Sequence, residues 1–300
     1  MVALQREMKI LVGCDGAEEP SRDALALGAL LAETCEADLT LGVVVPGIAP
    51  RDDSRSQEDH LGAASAATFD RATAQLAEFD ARLVPQCRAI GGKSPADGLR
   101  DLATGEGADL IVVGSTHRGP LGRIVPGTTA DQLGARSRVP FAVAPRGYAE
   151  RDARELRIVG VAYDGSDEAR RAAEVATDFA IRGCTGLRAF GVLEPLVANI
   201  SPAGPLPLDD HVVGDRLEEE LDELLDRLPA SVAGQKLILA GDPARALLAQ
   251  GPRAADLMVF GSHGFGRFLR LVGWSVTSPV MRDAPWPVIV VPPKHNYTTV

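Results

Sequence analysis

Apolar residues along this chain follow two alternating rhythms. Short runs rich in β-branched residues occupy 9–14, 38–45, 84–90, 109–114 and 139–144, and again 156–162, 186–193, 235–240, 256–261 and 286–291. Each is bounded by glycine, proline or charged residues, and together they predict ten strands. The segments between them repeat apolar positions every three or four residues. Leu217, Leu221, Leu224, Leu225 and Leu228 fall on one helical face with acids opposite, and Phe69, Leu76, Phe79 and Leu83 do the same earlier in the chain. Strands apolar on both faces, separated by helices, predict parallel sheets covered on both sides. Two stretches break the rhythm. Residues 48–62 and 199–211 are polar or proline-rich and are expected to be surface excursions after the second strand of each half.

The rhythm is written twice. DLIVVGSTHRG at 109–119 returns as DLMVFGSHGFG at 256–266, an offset of 147. KILVGCDG at 9–16 matches RIVGVAYDG at 157–165 and pairs Asp15 with Asp164 at an offset of 149. LGVVVP at 41–46 matches FGVLEP at 190–195, GKSPADGL at 92–99 resembles GDPARALL at 241–248, and VPFAVAP at 139–145 matches WPVIVVP at 286–292. Like order at a nearly constant offset means two copies of one domain, expected at 1–147 and 156–300. The joint, GYAERDAREL at 147–156, is charged and lacks apolar periodicity. The expected fold class is α/β: two tandem open sandwiches, each with a five-stranded parallel sheet.

Composition narrows the function classes. The chain has 300 residues, 45% hydrophobic and 24% charged, so each half is large enough to bury its own core. A formal net charge of −10 argues against nucleic acid or a membrane surface as the main partner. Cys14, Cys35, Cys87 and Cys184 have no metal spacing and are expected to be reduced thiols. The first residues, MVALQREMKILVGCDG, resemble neither a signal peptide nor a membrane span, and a cytoplasmic location is expected.

The candidate chemistry lies where strands end. In an open parallel sheet, ligands settle at the carboxyl ends of strands where the strand order reverses. Asp15 and Asp164 end the first strand of each copy and precede a glycine. Either can accept the hydroxyls of a ribose, and either can instead cap the next helix. The end of the second strand, around Val44 and Val192, can offer backbone groups to an adenine edge. After the fourth strand come Gly114, Ser115, Thr116 and His117, and then Gly127–Thr128. The second copy has Gly261, Ser262, His263 and Gly264, and then Trp274–Ser275. Glycine lets backbone N–H groups approach an anion, and a hydroxyl at the start of the next helix adds a donor beside the positive helix end.

These residues resemble the universal stress protein family in its tandem two-domain form, over nearly all of the chain. The motif of that family is G-x2-G-x9-G-S/T, with an aspartate after the first strand. The resemblance implies a Rossmann-like (HUP-like) fold and ATP, with or without Mg2+, bound by Asp15, Gly114, Ser115, Thr116, His117, Arg118, Gly119, Pro120, Gly127, Thr128 and Thr129. In the second copy it implies Asp164, Gly261, Ser262, His263, Gly264, Phe265, Gly266, Arg267 and Ser275. It also implies that the two domains pair through their last strands, 139–144 and 286–291, about a pseudo-twofold axis. A homodimer and a regulatory protein partner are compatible with it. This chain departs from the motif at His117, which replaces the second glycine, and at Trp274, which replaces the third glycine of the second copy. Pro279 follows Ser275 by four residues and removes an early helix hydrogen bond. The second site is therefore expected to be the weaker.

Other chemistries lack their residues. There is no Gly-x4-Gly-Lys-Ser/Thr loop, no SGGxDS-like signature, and no metal spacing among the five histidines. No general base is placed, so a nucleotide-responsive stress or regulatory module is expected rather than a fast enzyme, with slow ATP hydrolysis allowed. A scaffold with degenerate pockets is the competing expectation.

Overall fold

A computed structural model describes residues 6–15, 18–47, 55–80, 82–115, 128–151, 154–193, 210–262, 280 and 283–293. The first half runs β1 (Lys9–Cys14), α1 (Glu18–Cys35), β2 (Asp38–Pro46), α2 (Arg55–Phe79), β3 (Gln86–Gly92), α3 (Pro95–Glu106), β4 (Leu110–Gly114), α4 (Thr128–Arg136) and β5 (Phe141–Ala144). A 3-10 turn at Tyr148–Glu150 opens the joint. The second half runs β6 (Ile158–Tyr163), α5 (Asp167–Arg182), β7 (Gly186–Leu193), α6 (Asp210–Asp226), β8 (Gly234–Ala240), α7 (Pro243–Ala249), β9 (Leu257–Gly261) and β10 (Val288–Val291).

The repeated phrases turn out to be helix starts and strand ends. GKSPADGL and GDPARALL are N-caps: Ser94 and Asp242 accept the backbone N–H of Asp97 and Arg245, and a proline follows each at the first helical position. Ser166 caps α5 by accepting the Ala169 N–H.

The strands form one ten-stranded sheet in the order β3-β2-β1-β4-β5-β10-β9-β6-β7-β8. All pairings within a half are parallel. The halves meet through an antiparallel pair, with Val288 opposite Val143, Ile289 opposite Ala142 and Val290 opposite Phe141. The expected pairing of the last strands is therefore present, and it fuses the two sheets into one. One apolar layer lies beneath α1, α2, α5 and α6, with Leu25, Leu31, Leu76 and Phe179 fully buried. The other lies beneath α3, α4 and α7, where Phe141, Phe190, Phe260 and Trp286 fill the space. Trp286 satisfies its indole N–H by donating to the Gly251 carbonyl at 3.0 Å.

Two expectations are corrected. The polar run 48–62 is not wholly an excursion, because α2 already begins at Arg55. Its alanine-rich stretch at 63–67 favours helix, and the buried Ser65 hydroxyl is satisfied by the Leu61 carbonyl at 2.7 Å. The strand expected at 84–90 begins two residues later, since Pro85 cannot donate to a ladder, and Val84 is left 90% exposed.

The joint is more tightly held than its composition suggests. Tyr148, Ala149 and Leu156 are buried, and the buried Asp23 of α1 accepts the N–H groups of Gly147 and Ala149, each at 2.8 Å. Arg151 lies over the Tyr148 ring and donates to the Pro285 carbonyl, and Arg154 lies over Phe79.

Candidate functional site

In each half the chain moves outward from the first strand on one face of the sheet and returns on the other, so the strand order reverses between β1 and β4 and between β6 and β9. The ladders fix what meets there. The β1–β4 ladder ends at the pair Val12 and Val112, and Asp15 and Ser115 each lie three residues beyond it. The β6–β9 ladder ends at the pair Val161 and Val259, and Asp164 and Ser262 each lie three residues beyond it. Asp15 directly follows the end of β1 and Ser115 that of the neighbouring β4, as Asp164 and Ser262 follow β6 and β9, so both pairs lie at the carboxyl edge of the sheet.

The aspartates differ in their local partners. Asp15 is exposed, and its Oδ1 accepts the hydroxyl of the buried Ser21 at 2.8 Å. Ser21 in turn accepts the Asp15 N–H at 3.2 Å, so the two residues brace each other across the turn into α1. Asp164 accepts the Ser166 N–H at 3.0 Å, just ahead of α5. The helix-cap role considered for Asp164 thus belongs to Ser166.

The glycines carry a constraint that the sequence did not reveal. A Cβ on Gly114 would lie 2.0 Å from the Pro20 carbonyl oxygen, and one on Gly261 would lie 2.8 Å from the Glu168 backbone. Each glycine lets the end of its strand press against the first turn of α1 or α5. Packing alone therefore demands glycine at these positions, whatever the loop beyond them binds. Ser115 follows as a buried residue whose N–H donates to the Ala144 carbonyl at 3.0 Å, while its hydroxyl has no hydrogen-bond partner among the described residues. The Ser262 N–H donates equivalently to the Val291 carbonyl at 2.9 Å.

At the second strand, the β1–β2 ladder ends at Val43 while the β2–β3 ladder continues to Pro46. Val44 and Val45 therefore project past the end of β1 on the crevice side. Val192 and Leu193 project in the same way past Tyr163 of β6. The Val44 side chain itself is taken up by close packing on Gly92 and Gly98. Thr128 opens α4, as expected for a hydroxyl at a helix start, and Thr129 follows half-buried. Thr116, His117, Arg118, Gly119, Pro120 and Gly127 lie outside the described residues. So do His263, Gly264, Phe265, Gly266, Arg267, Trp274, Ser275 and Pro279.

Electrostatics separate the two halves at this level. Burial pushes the Cys14 thiol, directly before Asp15, up to about 12. The matching residue before Asp164 is Tyr163, whose hydroxyl donates to Glu220 Oε2 at 2.9 Å. Burial and that carboxylate raise the phenol above its ordinary range. Burial alone would raise Glu220 too, but hydrogen bonds from Tyr163, Arg170 and Arg216 outweigh it and hold the carboxyl below its usual range. Sequence reading missed Ser21, Pro20, Glu168 and Glu220, because each acts through a contact that no local motif announces.

Among the described residues, no helix is long and apolar enough to cross a membrane. The sequence model of the universal stress protein family matches residues 8–145 and again 155–292. A universal stress protein of Mycolicibacterium smegmatis is 33% identical over 189 residues, covering 62% of this chain and 63% of its own length. The aligned part thus spans less than two thirds of that relative. One from Mycobacterium tuberculosis is 29% identical over 310 aligned positions, covering 95% of this chain and all of its own. The fold matches a universal stress protein of Archaeoglobus fulgidus with a TM-score of 0.63 at 19% identity, over 94% of this chain and 97% of that one. A second, from Pseudomonas aeruginosa, matches with a TM-score of 0.63 at 16% identity, over 96% and 94%. With the family's domain matched twice along its length and the two copies fused through β5 and β10, the chain belongs to the universal stress protein family.

Proposed function

We propose that this chain is an ATP-binding regulatory module of the universal stress protein family rather than a fast enzyme. Its principal nucleotide site is the crevice at the carboxyl ends of β1 and β4. The observation that carries this reading is that Asp15 and Ser115 directly follow the ends of the neighbouring strands β1 and β4, at the point where strand order reverses. The residues there fit a nucleotide: an exposed carboxylate for ribose hydroxyls, backbone past the end of β1 for an adenine edge, and a buried Ser115 hydroxyl lacking a partner among the described residues. Arg118, the Gly127 turn and the start of α4 would hold the phosphates. Slow turnover at most belongs to this reading, because the sequence places no general base at the glycine loop.

Mass analysis of the small molecules released when the purified protein is denatured tests this directly. ATP or ADP is the expected result, and calorimetric titration should then give one tight nucleotide per chain and a second, weaker one. The weakness of the second site is assigned to Trp274, and Trp274→Gly should strengthen that site alone. An empty protein that also gives no heat on titration would replace this reading with a scaffold whose pockets are degenerate.

A further inference from the structure

In the first half, α1 packs directly against α2, with Ala72 and Leu76 buried between helix and sheet. In the second half α6 lies over β7 and β8, with its Leu217 and Leu221 packed on Gly191 and its Leu225, together with Leu228 just past its end, on Gly234. This leaves α5 and α6 apart, with a groove of about 620 Å³ between them. That volume lies within the range of roughly 300–1,000 Å³ usual for small-molecule sites.

The groove has an apolar floor and an acidic wall. Ala173, Ile181, Leu224 and Leu228 line the floor. Glu174, Asp178, Glu220 and Glu223 line the wall, against Arg170 and Arg227 only. The pairings leave one carboxylate over. Arg170 binds Glu220 at 3.2 Å, Arg227 binds Glu223 at 3.1 Å, and Asp178 is held by Arg182 from beyond the lining at 2.9 Å. Among the described residues the exposed Glu174 has no ion pair.

One turn along the same face stands Thr177, whose Oγ1 is shielded from water yet has no hydrogen-bond partner among the described residues. The hydroxyls of Thr34, Ser65 and Thr104, also on helices, each donate to the carbonyl four residues back. A helical threonine has two accessible rotamers, so rotation about χ1 would turn the Thr177 hydroxyl toward an occupant of the groove. An unmade bond of this kind costs free energy in the unliganded protein, which a polar ligand group would recover.

We propose that the α5–α6 groove is a binding site for a small organic cation, a primary amine on an apolar body. The ammonium group meets Glu174 and the Thr177 hydroxyl, and the body lies on Ile181, Leu224 and Leu228. The groove begins at Tyr163, directly before Asp164, and Gly165 stands against its Glu220, so it adjoins the turn after β6. The excess of carboxylates excludes the matching anion by charge, and the apolar floor favours an arylalkyl or alkyl amine over a simple inorganic cation.

Equilibrium dialysis of the full chain against 2-phenylethylammonium, with 3-phenylpropionate and 2-phenylethanol as the anionic and neutral matches, tests the site. Saturable binding of one amine per chain is expected, with the anion at least tenfold weaker and the amine weakened as salt is raised. Glu174→Gln should weaken the amine at least fivefold, and Glu174→Lys should abolish its binding. Because Glu174 is exposed, both variants should keep the thermal midpoint of the parent chain. Thr177→Val, which removes the partnerless hydroxyl with little change of volume, should weaken the amine at least twofold while raising the thermal midpoint. Amine binding that fails to saturate, that the anion equals, or that Glu174→Gln leaves unchanged would overturn the proposal.

Discussion

The two halves of this chain share a sheet and differ in what covers it. Both end their first and fourth strands, side by side, in an aspartate and a glycine-serine pair, and both bring that glycine hard against the first turn of the helix that follows the first strand. Above that frame they diverge. Asp23 on α1 grips the joint, while the repeat offset puts the fully buried Ala172 at the matching point of α5. The first half closes α1 upon α2, whereas the second opens a groove lined by acids. The ladder tolerates little change, because a register slip of one residue would send every side chain to the wrong face. The helices answer mainly to the strands beneath them, so they were free to acquire separate tasks.

The largest expected difference between the halves lies at the paired glycines. Gly114→Ala forces a methyl group onto a backbone carbonyl at 2.0 Å and should cost about 4 kcal/mol or more, among the largest single-site losses. Gly261→Ala meets the Glu168 backbone at 2.8 Å and should cost about 1–3 kcal/mol. Urea unfolding of the two variants measures both, and equal losses would break the ordering.

Next comes Asp23. Asp23→Ala leaves the Gly147 and Ala149 N–H groups buried without an acceptor, at a cost of about 2–4 kcal/mol. Ala172→Ser, its counterpart on α5, should cost less, because it strands no backbone donor. The titration of Asp23 adds a pH signature. Burial raises its carboxyl above 3.8 despite the two N–H bonds, which pull the other way. As pH rises past the unfolded value, the unfolded chain releases this proton first, so stability should fall with pH until the folded carboxyl also ionises. Asp23→Asn should remove that decline when denaturant midpoints are followed upward from pH 3.5. A decline of the same size in the variant would reassign it to another group.

A smaller effect is expected at the nucleotide crevice. Asp15→Ala should weaken ATP by about 1.5–3 kcal/mol, the value of a charge-assisted hydrogen bond, while leaving the second site unchanged. Unaltered affinity by calorimetry would reduce Asp15 to the structural brace for Ser21. The smallest effect concerns thiols. Cys14 and Cys35 are buried and pushed up to about 12, chiefly by burial, whereas Cys87 and Cys184 are exposed. Alkylation of the native protein at pH 8 should label two cysteines, and the remaining two only after unfolding. Faster labelling of Cys14 than of Cys184 would mean that the first half opens more readily than its packing implies.

The sheet could be read from the sequence because its strands are apolar on both faces and bounded by glycine and proline, so local residues carry the signal. The repeat could be read for the same reason, and with it the place of Asp15 and Ser115 at the carboxyl ends of their strands. The constraint on Gly114 could not, since the Pro20 carbonyl it accommodates lies 94 residues earlier and only the parallel crossover brings the two together. Asp23 looked like one more helical acid, because nothing near it marks the backbone N–H groups it would meet 124 and 126 residues later. The start of α2 was hidden by its polarity, which in a helix facing solvent resembles a loop. The α5–α6 groove was equally silent, as it arises from where two helices sit rather than from any phrase in either.

The antiparallel meeting of β5 and β10 has one further consequence, and it is kinetic. Two separate copies of such a domain would join through this edge by a bimolecular encounter, and their pairing would fade on dilution. Here a joint of a few residues ties β5 to the domain that carries β10, so the pairing is first-order and indifferent to protein concentration. Among the described residues the open edges of the sheet are β3 and β8, at its two extremes. Any growth of the sheet into a larger assembly must begin there, on strands that face neighbours rather than partners.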